Sequence, residues 1–514
     1  MNVSMSMRLT LITGIVLLSF SGAVAQNFVS DALLFSRSAS TTGSARMQAL
    51  GGAHSSIGGD YSAALSNPAG LGMYNRSEAT LTLGFNNYNT SANYLRTKSE
   101  TSGSKLNLPG LSVVLNYKRD EPTSSGFLGW NFGITLTRTN DINRQYSYNG
   151  LNDESTILYS FEDLAAEFAG EDFESMIQGN NNYYNLYALA YNNYLIDTVQ
   201  ENGSYAGYYQ SPWDLYSGES RSIEQRESIK RRGAQYQWTF AAGVNFSDRL
   251  FMGAGVGITT LRYKLSQTYT ERLVDFDAND DYYPDLREFT IGEDLDIQGT
   301  GVNLTLGLIY RPIDFVQLGA SFVTPTIHQI TDNYTAGITS EWNTQTDTGE
   351  KFPEALLSEY NFNTPSRLSG GITFISKYGF LTGTVERVNY RRARYSSDIA
   401  GIDYDLENED ISKAYRSTTN FRFGAEFRYE QFRIRGGYGI MGDPYVDTDN
   451  IDRKITTLSG GVGIRQKKFF TDFTVITTKT EGLRIPYTAF DVDTPVANLK
   501  FTNTNFVVTV GFTF

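Results

Sequence analysis

The sequence predicts an all-β chain: a 14-stranded antiparallel transmembrane β-barrel with a small N-terminal luminal hatch. Three observations predict it. The last ten residues, Asn505 to Phe514, place Phe506, Val508, Val510, Phe512 and Phe514 on one face of a strand and small or polar residues on the other. The same alternation recurs along the chain after residue 76. No segment, the N-terminal leader included, is an apolar run long enough for a membrane-crossing helix, so a chain built to span lipid must do so as a closed barrel.

The elements follow in order. Residues 1–25 read as a secretory signal peptide, with a basic start, the apolar run from Leu9 to Phe20, and an Ala23-Val24-Ala25 cleavage site. The run is too short to cross a bilayer, and no Cys follows the cut to carry a lipid anchor. The mature chain then starts near Gln26 and is sent to the bacterial outer membrane, where the barrel-insertion machinery and membrane lipid are its expected partners.

Residues 26–75 do not alternate. They are dense in Gly, Ala and Ser, which lets backbones approach closely, and form the hatch. Residues 76–514 form the barrel. Representative lipid-facing sets are Ala79, Leu81, Leu83, Phe85; Tyr236, Trp238, Phe240; and Val302, Leu304, Leu306, Leu308, Tyr310. Fourteen such strands are expected, near 77–89, 108–119, 128–140, 233–247, 249–271, 290–311, 313–330, 362–376, 379–394, 415–430, 431–441, 454–466, 468–480 and 501–514. Connections after even strands are short and those after odd strands are long, as between periplasmic turns and extracellular loops. That parity puts the N-terminus and Phe514 both on the periplasmic side.

The longest loop, 141–232, is expected to contain helix. Ser160 opens a capping-box pattern, and Phe161, Leu164, Ala165, Phe168, Met176 and Ile177 recur at helical spacing. The apolar and aromatic run 183–195 should pack on the barrel rim, line a greasy mouth or pack within the loop.

Composition excludes several functions. The chain has no cysteine, so it holds neither disulfides nor thiolate metal sites. A formal net charge of −13 argues against nucleic acid as a partner. With 34 Tyr, 32 Phe and 48 Gly, the chain fits a barrel with aromatic girdles better than a secreted glycan-binding sandwich. Only His54 and His328 could act as a catalytic imidazole, and neither has a visible partner, so no enzyme is expected. Asp277, Asn279 and Asp281 have calcium-loop spacing, but Tyr282 stands where the loop needs Gly, so this is read as a solvated acidic loop with no metal. No cofactor is implied.

The hatch carries the most specific motifs: Arg46 to Ala53 with Ala49-Leu50-Gly51-Gly52-Ala53, then Gly59-Asp60-Tyr61-Ser62-Ala63-Ala64, then Asn67-Pro68-Ala69. Together they resemble the N-terminal hatch of the FadL/TodX family. Weaker echoes are Thr364-Pro365-Ser366-Arg367, Phe421 to Glu426 and Ile434 to Tyr438. The resemblance implies a 14-stranded barrel with an N-terminal plug that moves long-chain fatty acids or other hydrophobic compounds inward by passive diffusion. Ligand would be captured by extracellular loops and released past the hatch or through the barrel wall. The residues that carry over are Asn67, Pro68 and Ala69. The loops, above all 141–232, are longer than in the better-known members. That leaves open a second role, a binding or assembly partner in protein export or surface anchoring.

The residues add candidate ligand contacts of their own. Alternation turns Arg422, Glu426 and Arg428 of one strand, and Arg433 and Arg435 of the next, into the lumen. Arginine suits bidentate recognition of a carboxylate headgroup. Arg422, Arg433 and Arg435 are the candidates. The competing reading is that they pair with acids such as Glu426, Asp472 or Asp60 to fill a polar lumen.

Overall fold

The computed structural model describes residues 28–38, 41–118, 126–166, 186–201, 204–213, 222–274, 286–343, 348–352, 354–446, 449–490 and 492–514. The signal peptide, the acidic run 275–285 and the positions Phe168, Met176 and Ile177 lie outside them.

Fourteen antiparallel strands close on themselves. They are β1 (Glu78–Tyr94), β2 (Thr97–Lys118), β3 (Phe127–Asp141, continued by Arg144–Asn152), β4 (Ile223–Phe246), β5 (Leu250–Leu273), β6 (Leu286–Ile313) and β7 (Val316–Val323, continued by Ile327–Trp342). The second half comprises β8 (Leu356–Asn363, continued by Arg367–Ser376), β9 (Gly379–Asn389), β10 (Ser417–Tyr429), β11 (Phe432–Met441), β12 (Ile455–Arg465), β13 (Phe469–Arg484) and β14 (Ala497–Thr513). Each pairs with its neighbour in sequence, and β14 returns to β1 with Phe512 opposite Ala79 and Phe506 opposite Phe85. The Phe514 amide donates to the Ser77 carbonyl at 3.0 Å, fastening the last residue to the start of the first strand.

The side-chain period sets the lipid face. Leu81, Leu83 and Phe85, Val302 to Tyr310 on alternate positions, and Phe421, Phe423 and Phe427 are all exposed, while their neighbours face inward. Five alternating residues on β6 span roughly 20–25 Å of tilted strand, the height of an outer-membrane apolar band. Exposed Tyr117, Tyr310, Phe315, Tyr378, Tyr429 and Phe514 form an aromatic girdle at the short-turn end. At the other end the strands run well past the band. β6 has 28 residues, so the wall continues far above the lipid.

Three features depart from the sequence expectation. Residues 90–107, unassigned by alternation, extend β1 and β2 into a long hairpin that turns at Leu95 and Arg96, with φ of 44° and 65°. The outward face of β1 here is polar (Asn87, Asn89, Ser91, Asn93) and lies above the lipid, so no lipid-facing apolar period marks it, while Ala92 and Tyr94 turn inward into an apolar cluster. Two residues with positive φ match the twist of the flanking strands.

The N-terminus is the second. Helix α1 (Phe28–Ser36) sits at the long-loop end, opposite the short-turn end that holds Phe514. Phe28 packs 4.9–5.7 Å, ring to ring, from Tyr360, Tyr395 and Tyr404, and Phe35 packs beside Tyr263 and Phe362. Burying this apolar helix in the upper barrel outweighs the parity rule, which orients strands but not a segment that precedes them.

The long loop is the third. Its flanks 144–152 and 223–231 are paired strand, not loop. Helix α2 (Ile157–Ala165) starts earlier than expected, because Thr156 rather than Ser160 caps it by accepting from the Leu158 amide. Helix α3 (Leu186–Asn192) buries Tyr187, Ala188, Leu189 and Ala190. Both join α1 in an apolar core inside the upper barrel, together with Leu286, Phe289, Ile291 and Tyr395.

Candidate functional site

The lower lumen is filled by residues 41–75. A five-residue helix (Ala45–Ala49), a four-residue helix (Ala63–Ser66) and a 3₁₀ segment (Pro68–Met73) carry the motifs that the sequence singled out. The barrel wall meets them with glycine. A Cβ on Gly307 of β6 would lie 2.0 Å from the Asn67 Oδ1, one on Gly253 of β5 would lie 2.3 Å from the Pro68 carbonyl carbon, and one on Gly437 of β11 would lie 2.1 Å from the Gly51 nitrogen. No side chain larger than hydrogen fits at these contacts.

Wall hydroxyls take up the backbone groups of the segment. Thr509 accepts from the Ala45 amide (2.8 Å), Thr474 donates to the Ala45 carbonyl (2.7 Å), and Ser459 accepts from the Gly51 amide (3.1 Å).

Asn67 is fully buried and explains its own motif. Its Oδ1 caps the 3₁₀ turn by accepting from the Ala69 amide, and its Nδ2 donates to the carbonyls of Ser55, Leu308 and Ala320 at 2.6, 3.2 and 3.3 Å. It thus ties the segment to itself and to β6 and β7. Pro68 supplies the fixed φ at the first 3₁₀ position, and Ala69 packs against Phe251 and Ile309.

The three arginines separate. Arg435 is buried, donating to Glu426 at 2.7 Å and to Asp472 at 2.6 Å. Glu426 also receives Arg428 (2.7 Å) and Arg46 of the luminal segment (3.4 Å). This network clamps the segment to β10 and β11. Asp60 takes no part, accepting instead from Ser44 and Ser62 beside it. Arg433 sits by the β10–β11 turn and donates to the Glu430 and Phe432 carbonyls.

Arg422 alone of the three lines a chamber of about 170 Å³ between the luminal segment and α1. Its partner there is Glu386 of β9 at 2.9 Å. Gly51, Gly52, His54 and Ser66 form the floor, Phe35 and Ser36 reach it from above, and Gln235, Gln237, Thr259, Asn303 and Arg367 line the wall. Burial and then the Arg422 charge push the His54 pKa down to about 4, so the imidazole is neutral at neutral pH. Glu386, Arg367 and His54 were not foreseen as a set. The one available signal was the Thr364 to Arg367 echo, since Arg367 donates to the Ser36 carbonyl at 3.0 Å and so ends α1. His328 is wholly buried, bonded to Gln235 and Thr259, and stacked on Phe362.

One seam in the wall lacks a backbone ladder. β2 and β3 pair from Lys118↔Gly129 up to Gly110↔Thr137 and no further. Irregularities in both strands coincide there: β2 shifts register around Pro109, and β3 shifts between Arg138 and Asn140. Above this point side chains hold the seam. Asn107 of β2 donates to Asn86 of β1 (3.0 Å), which bonds Asp141 of β3, itself paired with Arg138 (3.0 Å), and Thr101 crosses directly, its hydroxyl 3.4 Å from that of Ser147 and accepting from the Ser147 amide (3.2 Å).

No protein-family model matches the chain, and no curated protein matches it in sequence. Solved structures do. A Pseudomonas aeruginosa FadL homologue superposes with a TM-score of 0.53 at 11% identity, covering 92% of this chain and 98% of its own. The Pseudomonas putida toluene transporter TodX gives 0.49 at 13% identity, covering 93% and 100%. The Ralstonia pickettii toluene transporter TbuX gives 0.48 at 15% identity, covering 92% and 98%. At these identities the likeness to the FadL homologue is one of fold: a closed barrel of fourteen strands.

Proposed function

We propose that this chain is an outer-membrane channel of the FadL/TodX kind, admitting hydrophobic molecules by passive diffusion. The observation that carries the reading is the vertical order of the lumen. An apolar, aromatic compartment lies uppermost, a polar chamber holding Arg422 lies beneath it, and a tightly fitted hatch closes the bottom. A nonspecific pore has no use for a hatch. The shared fold with the Pseudomonas aeruginosa FadL homologue supports the same class.

The order also suggests how passage works. Helix α1 occupies the apolar compartment that a ligand would need, so the arrangement is closed and ligand entry must displace α1. A long-chain fatty acid would leave its chain among the residues that α1 vacates and its carboxylate near Arg422 and the neutral His54. The hatch is bound at every level of its contact with the wall. Exit is therefore easier at the lower end of the unpaired β2–β3 seam, beside Gly110 and Thr137 at the upper edge of the apolar band, where bonds to side chains take the place of a ladder.

The test uses the purified full-length barrel. Oleate and toluene are titrated while tryptophan fluorescence is followed, and Arg422→Gln is measured alongside. Saturable binding of oleate, weakened roughly tenfold by the variant while toluene binding is unchanged, supports the reading. Absence of saturable binding to either compound contradicts it. Deleting 153–222 tests the assembly role: if no hydrophobic ligand binds and the deletion abolishes retention of a protein partner, that role stands instead. The inward packing of α2 and α3 favours the channel.

A further inference from the structure

Just above the apolar band, the outward face of β4 and β5 carries four cations on neighbouring strands. Arg232 is directly opposite Lys264, Arg262 is opposite Ala234, and Lys230 is opposite Ser266. Below them on the same faces are Tyr236, Trp238 and Ile258, the last residues of the lipid-facing set. The patch therefore stands at the height of lipid headgroups.

Three of its four charges are not used by the fold. Lys264 reaches Asp296 of β6 at 2.5 Å. Among the described residues, Lys230, Arg232 and Arg262 form no ion pair. The next outward cations up the same strands, Arg226 and Arg272, share Glu224 at 3.1 and 2.6 Å. The unpaired set is thus confined to the level nearest the membrane. The surface here is concave, a hollow of about 300 Å³ bordered by Lys230, Arg232, Lys264, Asp294 and Asp296. On the other flank, Lys105 donates to Asn143 at 2.9 Å, beside the register position of Arg232. All this belongs to a chain whose net charge is −13.

We infer that this face binds a phosphorylated, acylated glycolipid of the lipid A class. Its acyl chains would lie along Trp238 and Ile258, and its phosphates against Arg232, Arg262 and Lys230. Guanidinium groups suit phosphate because two N–H donors meet two oxygens. An anionic phospholipid has one small phosphodiester and no sugar to fill the concavity, so it should bind more weakly. The inference rests on the proposed orientation, with long loops outward.

The test is native mass spectrometry of the full-length barrel in detergent, titrated with bisphosphorylated lipid A, dephosphorylated lipid A and phosphatidylglycerol. The variant Lys230→Gln/Arg232→Gln/Arg262→Gln is compared with Lys98→Gln/Lys413→Gln/Lys454→Gln, which removes equal charge elsewhere. The first triple should weaken lipid A binding on the order of a hundredfold, taking each near-surface cation as worth about a factor of five. The second should leave it unchanged, and dephosphorylated lipid A should bind no better than phosphatidylglycerol. Single Arg262→Gln should lose several-fold, which keeps the test informative if the triple misfolds. Equal loss in both triples, no loss in the first, or equal binding of all three lipids overturns the proposal. Oleate binding by the first triple should be normal, so failure here is separable from failure of the channel reading.

Discussion

The lower and upper halves of the lumen are filled in opposite ways. Below, backbone lies directly on backbone: wall glycines at 307, 253 and 437 admit the hatch, hydroxyls pair its amides, and Glu426 gathers Arg46, Arg428 and Arg435. Above, α1, α2 and α3 are held by apolar and aromatic contact with a few polar latches. One latch is Glu271 of β5, which accepts from the Ile157 amide (3.0 Å), from Gln225 (2.8 Å) and from the Thr156 hydroxyl at the start of α2. Close-fitting polar contacts tolerate no displacement, because every buried donor that moves loses its partner. Apolar contact is non-directional, and another apolar body can replace it. On the proposed channel reading, the difference would give closure to the hatch and exchange with ligand to the upper plug.

The comparison breaks first at Glu426. Glu426→Ala leaves Arg46 and Arg435 short of a counter-charge in a buried place, at a cost of about 3–5 kcal/mol. A urea titration should show the loss, and protease should then cut between residues 41 and 75. An unchanged midpoint would mean that the ion network does not hold the hatch.

Gly307→Val comes next. Its new side chain would strike Asn67 Oδ1, costing about 1–3 kcal/mol and loosening the hatch while leaving the upper plug intact. Hydrogen exchange across 45–73 and 28–36 reads the two halves separately, and equal loosening of both would contradict their independence.

Glu271→Ala should do the reverse. It strands the Ile157 amide and frees Thr156, at about 1–3 kcal/mol local to the loop. Exchange should rise over 153–166 and not in the hatch.

The smallest effect is a pH dependence. Asp31 of α1 is buried, and that burial, with Asp332 nearby, raises its pKa from 3.8 to about 7 despite the opposing charge of Arg231. A carboxyl with a raised pKa favours the docked state when protonated. Docking of α1 is thus fully supported below about pH 4 and weakens as pH rises through about 7. The protection factor of the 28–36 amides, which divides out the intrinsic pH dependence of exchange, should be higher at pH 5 than at pH 8, and Asp31→Asn should remove the difference.

The barrel was legible in sequence because lipid selects an apolar residue at every second position, and all fourteen expected strands are present in order. Where lipid ends, the signal ends. The outward face of β1 above Phe85 is polar (Asn87, Asn89, Ser91, Asn93), so the length of the β1–β2 hairpin was invisible. The placement of α1 depends on aromatic residues more than 300 positions away in the chain, such as Tyr395 and Tyr404, which no local pattern reports. Arg433 and Arg435 share a face and looked equivalent. Depth separates them: one lies at the turn, and the other lies two residues deeper, between two carboxylates. Asn67-Pro68-Ala69 was legible as a motif, but its partners on β6 and β7 were not.

The step on which the channel reading turns is the proposed exit of hydrophobic molecules through the β2–β3 seam at the upper edge of the apolar band. It is tested most directly with the pair Thr101→Cys/Ser147→Cys, whose native hydroxyls lie 3.4 Å apart across the seam, in a chain with no other cysteine. Uptake of labelled oleate is measured in cells that lack their own transporter and express the oxidised or reduced pair. The account predicts uptake above the empty-vector rate when reduced, loss of that increment when oxidised, and recovery on adding reductant. Equal uptake in the oxidised and reduced states, both above the empty vector, would contradict it.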